Sequence, residues 1–410
     1  MKPFFSILLL STSLIHAETL DELLRLAETN NPAIVAARQQ GEAARERATV
    51  AGSLPDPRLS YGYYLEEVQT RTGPQQQRAG ISQKFPMFGK RSLGETAAAH
   101  SAEALHARYR AVRADILFQL KQNWLELYYL GRAYHTEQNR MDIFQTLEKT
   151  VERVVENGGD ARDLLDIRIT LTRIEDHLHT LEAKRIPLEE KLNALLNRDR
   201  STPVEYPATL PPEKSFTEPH TLLQNSSPAI QEQHAALARR QTDEKLASRN
   251  WLPSITLGAD WIQTGDGGDD PLIANISINL PIWHSKNKAE RLSAGLEQAA
   301  QENYLQDQIN FEQVLLTKAF IKQTDSARRA AFYTTKLIPP AEQHFELTRT
   351  AYETDEADLR ELTASEERLL SLRLMLERSR TDRAIAVAEI EKLLGGPDIP
   401  PSTYLSGEHE

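Results

Sequence analysis

The chain is written twice. Asn31-Pro32-Ala33-Ile34 returns as Ser227-Pro228-Ala229-Ile230, and Leu54-Pro55 returns as Leu252-Pro253. Phe85-Pro86-Met87-Phe88 returns as Leu280-Pro281-Ile282-Trp283, and Leu195-Leu196 as Leu393-Leu394. Matched residues stand about 197 positions apart, a long-period duplication that sets the architecture before any single residue does. A chain of 410 residues would otherwise suggest two or three globular domains. Here it suggests two copies of one elongated unit, because the composition is poor in Gly and aromatics and rich in Ala, Leu, Glu, Arg and Gln, the usage of long helices and coiled coils.

The local patterns agree. In the first copy, Glu18 to Asn30 reads as a short helix, and Asn31-Pro32 restarts a second one with Asn as N-cap and Pro in the first turn. After Leu54-Pro55 the period changes to two. Leu59, Tyr61, Tyr63 and Leu65 alternate with Ser60, Gly62 and Tyr64; beyond a polar turn at Glu66 to Gln77, Ala79, Ile81 and Phe85 alternate with Arg78, Gly80, Ser82 and Lys84. Two alternating segments around a loop make a β-hairpin, with strands expected at about 57–66 and 78–85. The second copy repeats it at about 254–263 and 272–280, around the turn Thr264 to Asp270.

Each hairpin is followed by helical periodicity of unusual length. Ala98, Ala102, Leu105, Tyr109, Val112 and Ile116 form a coiled-coil stripe within a helix from Lys90 to Glu156. At 1.5 Å per residue it would be roughly 100 Å long, too long for a compact core. Asn157-Gly158-Gly159 breaks it, and a returning helix runs to about Asn197 with Pro187 as a possible kink or junction. In the second copy a helix from about Lys286 to Thr354, bent at Pro339-Pro340, returns after Asp355 to Asp358 as a last helix ending near Leu394. The expected organisation is a signal peptide over 1–17, repeats over 18–200 and 217–396, an extended linker over 201–216 and a disordered tail over 397–410.

Export follows from Lys2, the apolar run Phe4 to Leu10 and the small residues up to Ala17, the plan of a secretory signal peptide. No apolar run reaches the roughly 18 residues of a transmembrane helix. The absence of cysteine removes disulfides, thiolate metal sites and a cysteine nucleophile, and argues against a lipidated cysteine as anchor. A net charge of -11 without a basic cluster argues against nucleic-acid binding. No nucleophile elbow, phosphate loop or zinc-binding helix pair is present, so neither catalytic residues nor a cofactor are expected. His177 and His179, two apart on a helix, point to different faces and read as solvated surface rather than a metal site.

The four strands have the length a tilted strand needs to cross a bilayer, with one apolar and one polar or small face. A half-buried sheet packed on its own helices would alternate in the same way. Export and over-long helices favour the membrane. Four strands cannot close a barrel, however, and open edges are not tolerated in lipid, so several chains would have to share one; three give twelve strands.

The doubled helix-hairpin-helix plan, Asn-Pro or Ser-Pro at the helix start, Leu-Pro before each first strand and Phe85-Pro86-Met87-Phe88-Gly89-Lys90-Arg91 after the second resemble the TolC-like outer-membrane efflux proteins, most closely the branch that includes CusC and CzcC. The resemblance covers essentially the whole mature chain. It implies a mainly α fold with a membrane β-barrel part, namely a homotrimer whose twelve-stranded barrel in the outer membrane of a Gram-negative bacterium continues into the periplasm as a coiled-coil tunnel. Such a duct is passive. It serves an inner-membrane pump, expected to be of the resistance-nodulation-division type, through a periplasmic adaptor, and heavy-metal cations are the first expectation for cargo. A soluble periplasmic adaptor or scaffold is the alternative; adaptors usually hold one helical hairpin, not two full copies.

The resemblance also directs attention to the two helix-helix turns as the narrow, gated end of the tunnel. Candidate pore residues are Asp160, Arg162, Asp163 and Asp166 at the first turn, and Tyr352, Asp355, Asp358, Arg360 and Glu361 at the second. Tyr352 falls where the family has a gating tyrosine and Glu361 where it has a pore-facing acid. The arginine that ties the gate in TolC is replaced by Ala357, with Arg360 or Arg162 as possible substitutes. Threefold symmetry would turn each carboxylate into a ring that acts on ions. Capping of helix starts by Asp160 with Asp163, and by Asp358 with Glu361, is a compatible local role.

Overall fold

The computed structural model describes residues 19–396, apart from 72, 159, 218, 219, 268 and 355, together with 404–406. The expected signal peptide and most of the expected tail lie outside the described residues. The first copy runs α1 (Leu20–Asn30), α2 (Pro32–Ala51), β1 (Arg58–Thr70), β2 (Gly73–Phe85), α3 (Lys90–Glu156) and α4 (Arg162–Leu195). The second runs β3 (Lys214–Phe216), α5 (His220–Ser226), α6 (Pro228–Ala247), β4 (Ile255–Thr264), β5 (Leu272–Ile278), α7 (His284–Phe332), α8 (Ile338–Glu353) and α9 (Leu359–Leu393), followed by β6 (Tyr404–Ser406).

The duplication reappears in the packing. One core joins Leu23 and Ala27 of α1 to Leu117 and Leu120 of α3 and to Leu192 and Leu195 of α4. Another joins Leu223 of α5 to Leu316 and Ala319 of α7 and to Ile390 and Leu393 of α9. The repeated proline motif works as the sequence suggests. Asn31 caps α2 by accepting from Ala33 and Ile34 N–H groups, and its amide also donates to the Leu195 carbonyl at 2.8 Å. That buried bond fastens the start of α2 to the end of α4. Ser227 caps α6 in the same position of the second copy.

The four longer strands form one antiparallel sheet in the order β1-β2-β4-β5. Register stacks apolar residues in rows across it: Leu59, Ile81, Ala259 and Ala274, then Tyr61, Ala79, Trp261 and Leu272. On the same face, Leu59, Tyr61, Tyr63, Leu65, Ile81, Leu257, Leu272, Ile276 and Ile278 are all exposed, Leu65 at 94 %. The opposite face carries Arg58, Ser82, Gly258 and Asn275 in one row. The half-buried alternative is thereby excluded, since the helices do not cover the apolar face. Among the described residues, no helix is long and apolar enough to cross a membrane.

Several boundaries differ from expectation. The first hairpin is longer than 57–66 and 78–85, because Glu66 to Gln77, read as a turn, is mostly strand around Arg71. Polar residues there hide a ladder whose hydrogen bonds are made by backbone; a bulge between Tyr63 and Val68 breaks the alternation. The second hairpin spans Ile255–Thr264 and Leu272–Ile278 rather than 254–263 and 272–280. The linker is not merely extended, and the stretch 404–406 is not disordered: Lys214–Phe216 pairs antiparallel with Tyr404–Ser406, and Phe216 is buried in the second core. Tyr206 of the linker also stacks on Tyr134, with the Arg185 guanidinium 4.4 Å from its ring centre.

Pro187 lies inside a continuous α4. The long helix of the second copy, by contrast, changes at Tyr333–Leu337, which winds as a π-turn just before Pro339-Pro340. Neither proline can donate to the carbonyl one turn back, and ring crowding widens the winding there.

Candidate pore and gate

Each copy ends in a helical turn, and the two turns share one apolar cluster. Phe144 and Val151 of α3, Leu164, Ile167 and Ile174 of α4 and Leu359 of α9 are buried together, with Tyr352 of α8 packed against them. The first turn is made possible by Gly158, whose φ of 96° lies where a side chain would be strained. Gly159 and Asp355 lie outside the described residues, so Asp355 is a candidate without a structural account here.

Asp358 is the N-cap of α9; its carboxylate accepts from the Glu361 N–H at 2.8 Å. Capping at the second turn is therefore observed. At the first turn the expectation is corrected: the N-cap is Ala161, which makes no side-chain cap. Asp160 instead binds Arg162, accepting from its backbone N–H at 2.9 Å and its guanidinium at 2.5 and 2.7 Å. The guanidinium, aided by that N–H, holds the Asp160 carboxyl below the usual carboxylate range. Asp163 is exposed in the first turn of α4.

One candidate pair crosses between the turns. Arg360 Nε of α9 stands 3.6 Å from Asp166 Oδ2 of α4, with the arginine side chain 84 % exposed. Such an exposed pair contributes on the order of 0–1 kcal/mol and is screened by salt. Arg162, the other expected substitute, is bound to Asp160 of its own turn. Asp160, Arg162, Asp163, Glu361 and Arg360 all present charge to solvent at this end of the molecule.

A second polar constellation lies on the polar face of the sheet, and residue patterns did not single it out. Arg78 of β2 reaches Asp260 of β4 at 2.6 Å, and Asn275 of β5 donates to the same carboxylate. Asp260 is only 6 % exposed. Gly80 makes room for it, since a Cβ there would collide with the Asp260 carboxylate and the Ser60 hydroxyl. Alternation places Arg78 and Gly80 on the polar face, but a partner 182 residues away leaves no local signal.

His177, like His179, is exposed, as expected. Its Nδ1 lies 3.1 Å from Glu137 of α3, whereas His179 faces Glu182 of its own helix at 3.7 Å. His177 thus borders a group of charges between helices from the exposed side, its side chain 48 % exposed. Among the described residues, no group of three or more metal-binding side chains is assembled.

Relatives share this plan. The chain is 23 % identical to the cobalt-zinc-cadmium resistance protein CzcC of Cupriavidus metallidurans over 384 residues, 92 % of this chain and 90 % of that protein. Among solved structures, it superposes on the outer membrane protein VceC of Vibrio cholerae with a TM-score of 0.76 at 16 % identity, over 92 % of this chain and 96 % of that one. It superposes on CusC with a TM-score of 0.77 at 15 % identity, over 92 % of both chains. The family described as outer membrane efflux protein matches residues 23–198 and again 219–396. With its doubled helical hairpins and a sheet whose apolar face is bare, the chain belongs to the outer membrane efflux protein family.

Proposed function

We propose that three copies of this chain form the exit duct of a tripartite efflux system, a twelve-stranded barrel in the outer membrane continued by a helical tunnel into the periplasm. The observation that carries this reading is the sheet. One face exposes a continuous field of Leu, Ile, Tyr and Trp, the kind of surface that marks a membrane or partner contact, and β1 and β5 are its two outer strands. Backbone groups on those edges cannot stay unpaired in lipid. Pairing β5 of one copy with β1 of the next satisfies both edges, and an even strand total suits a closed barrel.

The partners are a periplasmic adaptor and an inner-membrane pump of the resistance-nodulation-division type, and the cargo is heavy-metal cations. The name of the CzcC relative supports that cargo, and substrate choice belongs to the pump. The gate lies at the two helical turns. Threefold repetition makes rings of Asp160, Asp163, Asp166, Asp355, Asp358 and Glu361, which hold or retard ions electrostatically; Arg360 ties α9 to α4 through Asp166, and Tyr352 braces the turn from the apolar cluster.

Fractionation of the exported protein tests the reading. It should sediment with outer membrane, cross-link as trimers and conduct in planar bilayers. A wholly soluble protein that never conducts would overturn the duct and leave a soluble adaptor or scaffold.

A further inference from the structure

Between the apolar tip and the upper cores, α3, α4 and α9 meet at a group of charges that neither fold nor pore requires. Arg140 of α3 is its only guanidinium contact among the pairs described there. It donates to Glu367 of α9 at 2.6 Å, stands 3.9 Å from Glu366 of α9, and stands 3.9 Å from Glu137 one turn back on its own helix. Glu137 and Glu366 are each 7 % exposed. Neither is hydrogen-bonded to the arginine at these distances, and Arg140 Nε and Glu137 Oε2 find no hydrogen-bond partner. Three carboxylates therefore share one guanidinium, whose good bond is spent on the exposed member. Buried like charges at such spacing cannot all ionise without strain on the packing.

We propose that this cluster is a proton-operated clasp, which holds the α8–α9 hairpin against the α3–α4 hairpin when Glu366 is protonated and loosens it when Glu366 ionises. The charges acting on Glu366 are Arg140 and Glu137 from α3 and Glu367 from its own helix. On the far side of Glu137, the His177 ring of α4 stands 3.1 Å from its carboxylate. With Glu366 neutral, Glu137 and Glu367 share the Arg140 guanidinium. With Glu366 ionised, three carboxylates face that one guanidinium. A cleft of about 400 Å³ lined by Glu137, Arg140 and Glu367 gives water and protons a route to the cluster.

Burial, opposed by Arg140, pushes the Glu366 carboxyl up to about 7 from its usual 4.5. The sign follows from that direction. In the released hairpin Glu366 is solvated and titrates near its ordinary value, so the clasped state binds the proton more tightly. The clasp is at full strength below about pH 4.5, weakens as pH rises and is lost above about pH 7. The surroundings of an exported protein follow the outside medium, so an acidic medium would hold the second hairpin in place.

The inference goes beyond the duct reading and uses it only for one of two readouts. Because the chain has no cysteine, Asn139→Cys on α3 and Arg368→Cys on α9, both exposed, can carry spin labels in the full-length protein. The expected result is a label separation that grows from about pH 5 to about pH 8, paralleled by rising conductance in planar bilayers. Glu366→Gln, neutral at every pH, should fix both readouts at their acid values. Glu137→Gln, which removes a repelling charge, should move the wild-type midpoint to lower pH. A separation that does not change with pH, or a pH response that survives Glu366→Gln, overturns the clasp. If Glu366→Gln does not assemble, the labelled chain with and without Glu137→Gln decides the matter: an unmoved midpoint overturns it. A protein that never conducts but still shows the label response counts against the duct and not against the clasp.

Discussion

Asp358 carries a cap and a charge, and one substitution separates them. Asn caps a helix about as well as Asp, whereas Ala loses the bond to the Glu361 N–H at a cost of about 1 kcal/mol. Asp358→Asn with Glu361→Gln should therefore leave thermal stability within about 0.5 kcal/mol of wild type while raising single-channel conductance. Asp358→Ala should lower stability as well. Unchanged conductance in the Asn and Gln variant would leave capping as the whole role of these residues. Arg360→Ala removes an exposed tie and should cost less than about 1 kcal/mol by thermal unfolding, again with increased conductance. The cap at Asp358 was legible because an acid before a helical stripe is a local signal. The arrangement at Asp160 was not, because a competing guanidinium two residues away captures the carboxylate and moves the N-cap to Ala161.

At the scale of elements, legibility followed the period. Strands announced themselves wherever a bare apolar face alternated with small or polar residues, as in Leu59 to Leu65 and Ile255 to Trp261. They went unseen at Gln69 to Gln77, where both faces are polar and only the backbone ladder defines the structure. The same contrast separates the two long helices. Their stripes were plain, but the π-turn at Tyr333–Leu337 depends on what two later prolines fail to donate. Pairings across the sheet or between helices, such as Arg78 with Asp260 or Arg140 with Glu367, left no trace at all, because 182 and 227 residues of chain separate the partners. Gly80→Ala tests one of them. The added methyl collides with the Ser60 hydroxyl and with the Asp260 carboxylate, displacing the latter from Arg78, and should cost about 1–3 kcal/mol by overpacking, read as a lower denaturation temperature of the assembled protein. Gly62→Ala on the same face meets no atom within 4 Å and should be tolerated, so it serves as the control.

For the whole molecule, the apolar field makes a depth-dependent prediction. Lys in place of Ile276, on the bare face, should cost about 2–4 kcal/mol at the bilayer midplane, whereas Lys in place of Ser277, on the polar face, should cost far less. Folding into lipid vesicles followed by denaturant titration distinguishes them, and equal effects would argue that the sheet does not face lipid. The duplication accounts for the rest of the plan: two cores and two hairpins stand at matching positions, and the copies differ most at their turns.

The sheet order β1-β2-β4-β5 also has a genetic consequence. Its two outer strands are different segments of chain, so each junction in a closed ring joins unlike edges and every copy contributes to two junctions. A copy with one spoiled edge does not merely drop out; it breaks the ring it enters. When defective and normal chains are made in equal amounts and mix freely in threes, only about one ring in eight contains no defective chain. Edge mutations should thus be dominant over the wild-type gene, while mutations that stop the chain from folding at all should be recessive.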